Sequence, residues 1–313
     1  MGASPIGRED VERAAGVIAG RLHRTPTFSA RSLGERLFLK AELLQRTGSF
    51  KPRGVLTKLA SLTESERSAG VISVSAGNHA QALAWGAAGE GLSALLVMWA
   101  SADPAKIAAT RAYGAEVDLE AADPAGAFRR LAELRAETRR TYVAPFDDPL
   151  VVAGQGTVGL EMLEDVPSVE TIVVPVGGGG LVSGIAAVCV PAGVRVVAVE
   201  PEESRALAAG LAAGKPVTVE PRSFAQALNA PFAGALPLEI CRALGVEVVL
   251  VSDDEIAEAF RLVYSRAKLA CEPGGAAAVA AVLSGKVDGG VTACVVSGGN
   301  VAAPIAAGIL AGP

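Results

Sequence analysis

The feature that most constrains the fold is a regular alternation of short apolar strands with helical segments. It runs over residues 71–144, and a second series begins near Val151. Residues 171–176 form an almost wholly apolar run, as does the segment 292–296, which is typical of strands buried on both faces. The pattern predicts strands over 37–41, 71–74, 94–99, 247–251 and 292–296 and a helix over 253–269, and the alternation predicts β-α-β units. We therefore expect an α/β protein with two parallel or mostly parallel twisted sheets flanked by helices.

The proline-bounded segment 145–149 interrupts this pattern and predicts a crossing between domains. Residues 1–72 and 147–313 are expected to form a large, discontinuous domain. Residues 73–146 are expected to form a small mobile domain. The segment 216–237 is rich in proline, and its pattern favours irregular backbone.

Composition excludes several classes of protein. The chain has 313 residues, a formal net charge of −5 and no cluster of basic residues, so we expect no nucleic-acid partner. It has no run of eighteen apolar residues, and its N-terminus lacks the apolar core of a signal peptide. We therefore expect a cytoplasmic protein with no membrane partner.

The spacing of the cysteines and histidines argues against several kinds of site. The four cysteines are widely separated and lie mostly in apolar runs, which is typical of reduced core residues. The two histidines, His23 and His79, are far apart and accompany no G-x-S-x-G motif. This pattern argues against a histidine-ligated metal centre and a serine-hydrolase triad.

The stretch 47–54, Thr-Gly-Ser-Phe-Lys-Pro-Arg-Gly, lies between an apolar strand and a helical run. Ser49 is suited to an N-cap and Pro52 to a first helical turn, which places Lys51 at a helix start. There the helix dipole favours the free amine, the form that Schiff-base chemistry requires. The alternative is an ordinary solvated lysine.

Gly177, Gly178, Gly179 and Gly180 follow a buried strand and open a helix. Backbone N–H groups and the helix dipole converge at such a turn, so it predicts a phosphate site. The alternatives are a tight turn or a dinucleotide fold, since a second strand ends at Glu200 about twenty residues later. The glycines fit the dinucleotide motif poorly.

Residues 75–79, Ser-Ala-Gly-Asn-His, form a second strand-to-helix turn. Its N–H groups predict a site for a substrate carboxylate, and Asn78 could bond a ring hydroxyl. For His79, local packing at the helix start is favoured over acid–base catalysis. Ser297 follows the last strand, where its hydroxyl could bond a ring nitrogen or simply form a turn. Glu272 begins a helix, where an acidic residue is common.

Together these stretches resemble one family, the threonine and serine dehydratases and serine racemase, which are fold-type II pyridoxal-phosphate enzymes related to the tryptophan synthase β chain. The matching motifs cover nearly the whole chain in the family's order: 42–54, 75–81, 153–157, 175–180, 271–273 and 297–300.

The resemblance implies pyridoxal 5′-phosphate as cofactor, with Lys51 as the catalytic Schiff-base lysine. The implied cofactor-binding residues are Phe50, Lys51, Asn78, Gly177, Gly178, Gly179, Gly180, Leu181, Glu272 and Ser297. The implied substrate-binding residues are Ser75, Ala76, Gly77, Asn78 and His79. A homo-oligomer, expected to be a dimer, is also implied.

Three positions depart from the family pattern. Ala76 replaces the serine that serves the racemase as acid–base, so two-base racemisation is disfavoured. Gln226 stands in an Ala-Gln-Ala segment where the family usually has Ala-Asp-Gly. Ala206 replaces the second acid of the mono- or divalent cation site that some members build, leaving Glu200 as its sole candidate ligand.

The expected activity is β-elimination from a small hydroxy amino acid such as L-threonine or L-serine, giving a 2-oxo acid and ammonia. The alternatives within the family are amino-acid racemisation and 3-hydroxyaspartate dehydration. From other classes, a nucleotide-binding oxidoreductase and a non-catalytic binding module remain as alternatives.

Overall fold

The computed structural model describes residues 4–312. The helices are α1 Arg8–Ile18, α2 Pro52–Leu59, α3 Glu64–Ala69, α4 Asn78–Gly89, α5 Pro104–Ala112, α6 Pro124–Thr138, α7 Pro149–Asp165, α8 Gly180–Cys189, α9 Ala206–Ala213, α10 Ala235–Leu244, α11 Asp253–Leu262, α12 Pro273–Leu283 and α13 Ala303–Ala311. The strands are β1 Thr27–Ser29, β2 Leu37–Ala41, β3 Val71–Val74, β4 Ala94–Trp99, β5 Glu116–Ala121, β6 Thr141–Tyr142, β7 Thr171–Pro175, β8 Arg195–Pro201, β9 Glu247–Val251 and β10 Thr292–Val296. Over the range 4–312, no helix is both long and apolar enough to cross a membrane.

The strands form two sheets. The six-stranded sheet has the order β1-β2-β10-β7-β8-β9, and the four-stranded sheet has the order β5-β4-β3-β6. The pairs are parallel except for β1 with β2. The α/β class with mostly parallel sheets is thus confirmed. The four-stranded sheet lies within residues 71–142, and the domain division drawn from the sequence stays a prediction whose boundary at 73 falls inside β3.

The apolar runs predict the strands well because burial on both faces leaves an unbroken signal. The bounds of β2, β3, β4, β9 and β10 match the sequence-based expectation. The helix expected over 253–269 instead ends at Leu262 and continues as a π-helical turn to Ala267. The sequence pattern leaves α1, α3, α9, α10 and α13 without a prediction.

Helix α7 crosses α2 and α8 at very short range. A Cβ on Gly154 would lie 2.6 Å from the Cα of Gly54 in α2. A Cβ on Gly156 would lie 2.7 Å from the carbonyl oxygen of Gly184 in α8. The glycines of the motif 153–157 therefore serve helix packing, because any side chain there would push these helices apart.

A buried ion cluster fixes the start of α2. Arg53 is fully buried and donates to both carboxylate oxygens of Glu42, at 2.8 and 2.7 Å. It also donates to both oxygens of Glu161 in α7, at 2.7 and 2.9 Å. Lys40 of β2, equally buried, lies 2.7 Å from Glu161. These pairs join α2, α7 and the end of β2 immediately beside Lys51.

The sheets bring the chemical motifs to one place. The tetraglycine follows β7, Ser297 follows its neighbour β10, and Ser75 follows β3 of the other sheet. Each segment therefore leaves the carboxyl end of a parallel strand, the edge at which α/β proteins form their sites.

Replacing Arg53 by methionine should leave Glu42 as an uncompensated buried charge. We expect the free energy of unfolding, measured by urea titration, to fall by about 3–5 kcal/mol. Arg8→Gln is the control, because Arg8 and Glu12 pair on the surface with 55% and 51% of their side chains exposed. A loss as small as that of the control would contradict a stabilising role for the cluster.

Candidate active site

The sequence-predicted site residues line a single cavity of about 1150 Å³ between the two sheets. The residues that it brings together are Phe50, Lys51, Ser75, Ala76, Gly77, Asn78, His79, Gly177, Gly178, Gly179, Gly180, Leu181, Glu272 and Ser297. These come from separate parts of the chain, so their convergence is a result of the fold. Their individual roles stay predictions.

Lys51 lies at the N-cap position of α2, as the sequence predicts, with its side chain reaching into the cavity. Its Nζ donates a hydrogen bond to the carbonyl oxygen of Pro145 at 2.7 Å. Burial lowers the pKa of Lys51 to about 8, although the charge of Glu272 acts in the opposite direction. At pH 7 about a tenth of this amine is therefore unprotonated and nucleophilic, far more than for an ordinary lysine.

Ser49 is not the helix cap that the sequence predicts. It is fully buried and forms an antiparallel bridge with Gly298. The next residue, Phe50, donates its backbone N–H to the carbonyl oxygen of Ser297 at 3.2 Å. The backbone before Lys51 is thus paired with the turn after β10, and this pairing replaces a cap as the element that sets the position of Lys51.

Glu272 is the buried acid of the site. Burial raises its pKa to about 7, while a hydrogen bond from Asn78 and the charges of Lys106 and Lys51 act to lower it. The Nδ2 atom of Asn78 donates to Glu272 Oε1 at 2.6 Å. Asn78 is therefore held by Glu272 at the same cavity wall in which the sequence predicts a ring-hydroxyl contact.

The tetraglycine passes directly beneath an aromatic ring. A Cβ on Gly178 would lie 2.2 Å from the Phe146 ring, and Gly179 has a φ of 93°, a conformation that favours glycine. Helix α8 then begins at Gly180, and its first N–H groups have no intrahelical acceptor. The turn thus needs glycines for its shape, and it presents free N–H groups and a positive helix end to the cavity.

His79 is a packing residue. Its Nε2 lies 3.1 Å from the Ser73 hydroxyl and 3.0 Å from the carbonyl oxygen of Val143, within the small sheet. Burial lowers its pKa to about 3, and the charge of Lys51 acts in the same direction. The imidazole is therefore neutral at working pH, and only the backbone N–H of His79 is suited to bind a carboxylate.

Two residues at or beside the cavity, Lys106 and Asn300, carry no role in the sequence-based prediction. Lys106 of α5 reaches across the cavity mouth, where its Nζ donates to Gln226 Oε1 at 3.2 Å. Asn300 donates to Asn78 Oδ1 at 2.8 Å. The only signal for Asn300 is its place at the end of the 297–300 motif, because its partners are remote in sequence.

Glu200 lies away from this cavity. Both of its carboxylate oxygens accept N–H groups at the start of α9, from Leu207 at 2.7 Å and Ala208 at 2.9 Å. Burial raises its pKa to about 7, while these N–H groups act to lower it. Glu200 thus caps a helix, and no cluster of three histidine, cysteine or acidic residues suited to a metal occurs within residues 4–312.

Comparison with known proteins agrees with this geometry. Residues 18–298 match the family model described as pyridoxal-phosphate dependent enzyme. The catabolic L-threonine dehydratase TdcB of Escherichia coli K12 is 40% identical over 309 residues, covering 95% of this chain and 94% of that protein. The maize serine racemase structure superposes with a TM-score of 0.91 at 33% identity, covering 96% and 95% of the two chains. The threonine deaminase structure from T.th. gives a TM-score of 0.88 at 39% identity, covering 95% and 99%.

The residues present fit pyridoxal phosphate. Lys51 supplies an amine with a lowered pKa, and the free N–H groups of the tetraglycine turn suit a phosphate. Ser297 and Asn78 supply a hydroxyl and an amide to the same cavity. A dinucleotide site would need a free acid after β8, but Glu200 is occupied by the amides of α9. The dinucleotide interpretation is wrong, because residues 18–298 match the pyridoxal-phosphate family.

The lowered pKa of Lys51 predicts how cofactor capture depends on pH. Only the free amine adds to an aldehyde, so the rate should rise about tenfold per pH unit below the pKa and level off above it. With pyridoxal phosphate added to the cofactor-free protein, the visible absorbance should appear with a midpoint near pH 8.

Lys51→Ala should show no such absorbance, whereas Lys106→Ala, which removes the other lysine lining the same cavity, should retain it. A midpoint near the ordinary lysine value of about 10.4 would contradict the effect of burial.

Proposed function

We propose that this chain, which belongs to the pyridoxal-phosphate-dependent enzymes, is an ammonia-lyase that acts on small hydroxy amino acids such as L-threonine and L-serine. The observation that carries the proposal is the meeting of Lys51, the tetraglycine, Asn78 and Ser297 in one cavity. The 40% identity to a threonine dehydratase over nearly the whole chain supports the reaction type.

Each group of residues that lines the cavity has a proposed binding role. Gly177–Gly180 and the N–H of Leu181 hold the cofactor phosphate, and Phe50 packs near the ring. Asn78 bonds the ring hydroxyl, Glu272 supports Asn78, and the Ser297 hydroxyl donates to the ring nitrogen. The backbone of residues 75–79 binds the substrate carboxylate, which leaves the side chain of the substrate facing the remaining space.

The bound cofactor supplies an electron sink next to the substrate α-carbon. Lys51, as a free amine, would remove the substrate α-proton at Nζ. A serine hydroxyl, unlike a carboxylate, does not stabilise a protonated ring nitrogen, so Ser297 would keep the ring largely neutral and would favour prompt loss of the leaving group. Water leaves from the β-carbon, and water taken up on hydrolysis releases ammonia and the 2-oxo acid.

Racemisation is the second candidate function, because the maize serine racemase structure is similar over 96% of this chain. Racemisation needs a proton donor on the face of the substrate opposite Lys51. Ala76 lines the cavity in the 75–79 turn, and its methyl group cannot transfer a proton. The lyase reaction is therefore favoured.

The homodimer and the cytoplasmic location expected from the sequence stay predictions. For the cation, Glu200 is the sole acid that the sequence offers, and its carboxylate already accepts two N–H groups of α9, so the cation site stays a prediction.

Incubation with L-threonine should yield 2-oxobutanoate and ammonia, and L-serine should yield pyruvate with little D-serine. Ala76→Ser should raise the share of D-serine several-fold because it introduces a hydroxyl, whereas Ala76→Gly should not. Product analysis on a chiral column measures both outcomes. D-serine as the main product of the unmodified protein would require another proton donor and overturn the assignment.

We infer that residues 73–146 close over the substrate as a mobile domain. This unit carries the 75–79 turn and Lys106, whose bond to Gln226 spans the cavity mouth, while the tetraglycine and Ser297 lie outside it. Crystals with and without a substrate-like carboxylate inhibitor should differ in the angle between the two sheets. An unchanged angle would contradict closure.

A further inference from the structure

Asn300 lies beside the site, and the sequence assigns it no role. It follows the turn after β10, and its Nδ2 donates two hydrogen bonds. One goes to the carbonyl oxygen of Thr47 at 2.7 Å, four residues before Lys51. The other goes to Oδ1 of Asn78 at 2.8 Å, at the start of α4. Asn300 thus links the backbone before the lysine to the side chain expected to meet the cofactor ring.

The chemistry of these partners sets the orientation of both amides. A backbone carbonyl can only accept, so Asn300 must present its NH₂ group to Thr47. The same NH₂ group faces Asn78, so the atom of Asn78 nearest to it must be the oxygen. The nitrogen of Asn78 then faces Glu272, to which it donates at 2.6 Å. Reversing either amide would oppose two donors or two acceptors.

We propose that Asn300 is a positioning residue that holds the Asn78 amide in the orientation required to donate to the ring hydroxyl of the cofactor. With its oxygen engaged by Asn300 and one N–H engaged by Glu272, Asn78 keeps its second N–H for the ring. The inference rests on the proposed role of Asn78. It adds Asn300 to the site and explains why Asn78 donates to the ring hydroxyl through its nitrogen.

The segment around Thr47 supports a specific requirement for asparagine. Thr47 has a φ of 59°, which side chains with a branched Cβ rarely adopt, and Gly48 follows with a φ of 72°. A Cβ on Gly48 would lie 2.6 Å from Oδ1 of Asn300. The chain therefore bends closely around the Asn300 side chain, which leaves little freedom for this amide to rotate.

The test uses cofactor affinity, measured by titrating cofactor-free protein with pyridoxal phosphate. Asn300→Ala should weaken binding about tenfold, because Asn78 loses the bond that orients it. Asn300→Asp should weaken it further, since a carboxylate would face the oxygen atoms of Asn78 and Thr47. Asn229→Ala is the matched control: Asn229 lines the same cavity, but its Nδ2 donates to the carbonyl oxygen of Ser223 at 2.7 Å.

A double-mutant cycle separates positioning from a general structural effect. If Asn300 acts through Asn78, the double variant Asn78→Ala with Asn300→Ala should bind the cofactor no more weakly than Asn78→Ala alone. Additive losses would overturn the proposal and assign Asn300 to the Thr47 bend. Unchanged affinity in Asn300→Ala would overturn it as well.

The absorbance of the lysine-bound cofactor gives an independent readout. A donor to the ring oxygen stabilises its anionic form, so losing that donor should raise the pH of the absorbance transition by about half a unit. The shift should be equal in Asn300→Ala and Asn78→Ala and absent in Asn229→Ala. A protein that binds cofactor but releases no 2-oxo acid would overturn the lyase proposal and leave this test intact.

Discussion

The structure depends on charges that are buried close to the reactive lysine. Arg53 and Glu42 are both fully buried, and Arg53 reaches Glu161 as well. Burial alone would raise the pKa of Glu42, but Arg53, together with Thr25 and Lys40, lowers it below its ordinary value. Both charges therefore persist inside the protein. Because their geometry is directional, they fix the angle at which α2 leaves β2, and hence where Lys51 lies.

The electrostatics of the cavity also follow from burial. Lys51 and Glu272 face each other in a buried setting, and burial moves their pKa values toward neutrality to about 8 and about 7. His79 is held neutral, and the tetraglycine turn presents backbone N–H groups to the cavity. In the proposed function, a phosphate dianion would therefore be bound largely by these dipoles, which stay in place over the pH range in which lysine and glutamate change charge.

The sequence predicts correctly those features that depend on residues close together in the chain. Strands such as β7 and β10 are apolar runs, and the tetraglycine needs its glycines both for backbone conformation and for the ring of Phe146. The cap predicted at Ser49 is wrong. A serine just before a helix is usually its N-cap, but Ser49 instead pairs with Gly298, which is remote in sequence. Asn300 has no local signal, since its partners Thr47 and Asn78 lie more than two hundred residues away.

The position of β10 in the six-stranded sheet has a consequence for biosynthesis. Strand β2 pairs with β1 on one side, and on the other with β10, about 250 residues later in the chain. During synthesis, the edge of β2 that pairs with β10 therefore stays unpaired until most of the chain has left the ribosome. The four-stranded sheet, whose strands are all close in sequence, can form earlier. The backbone around Lys51 takes its final pairing only when residues 297–300 arrive, so a nascent chain becomes competent to hold its cofactor late in synthesis.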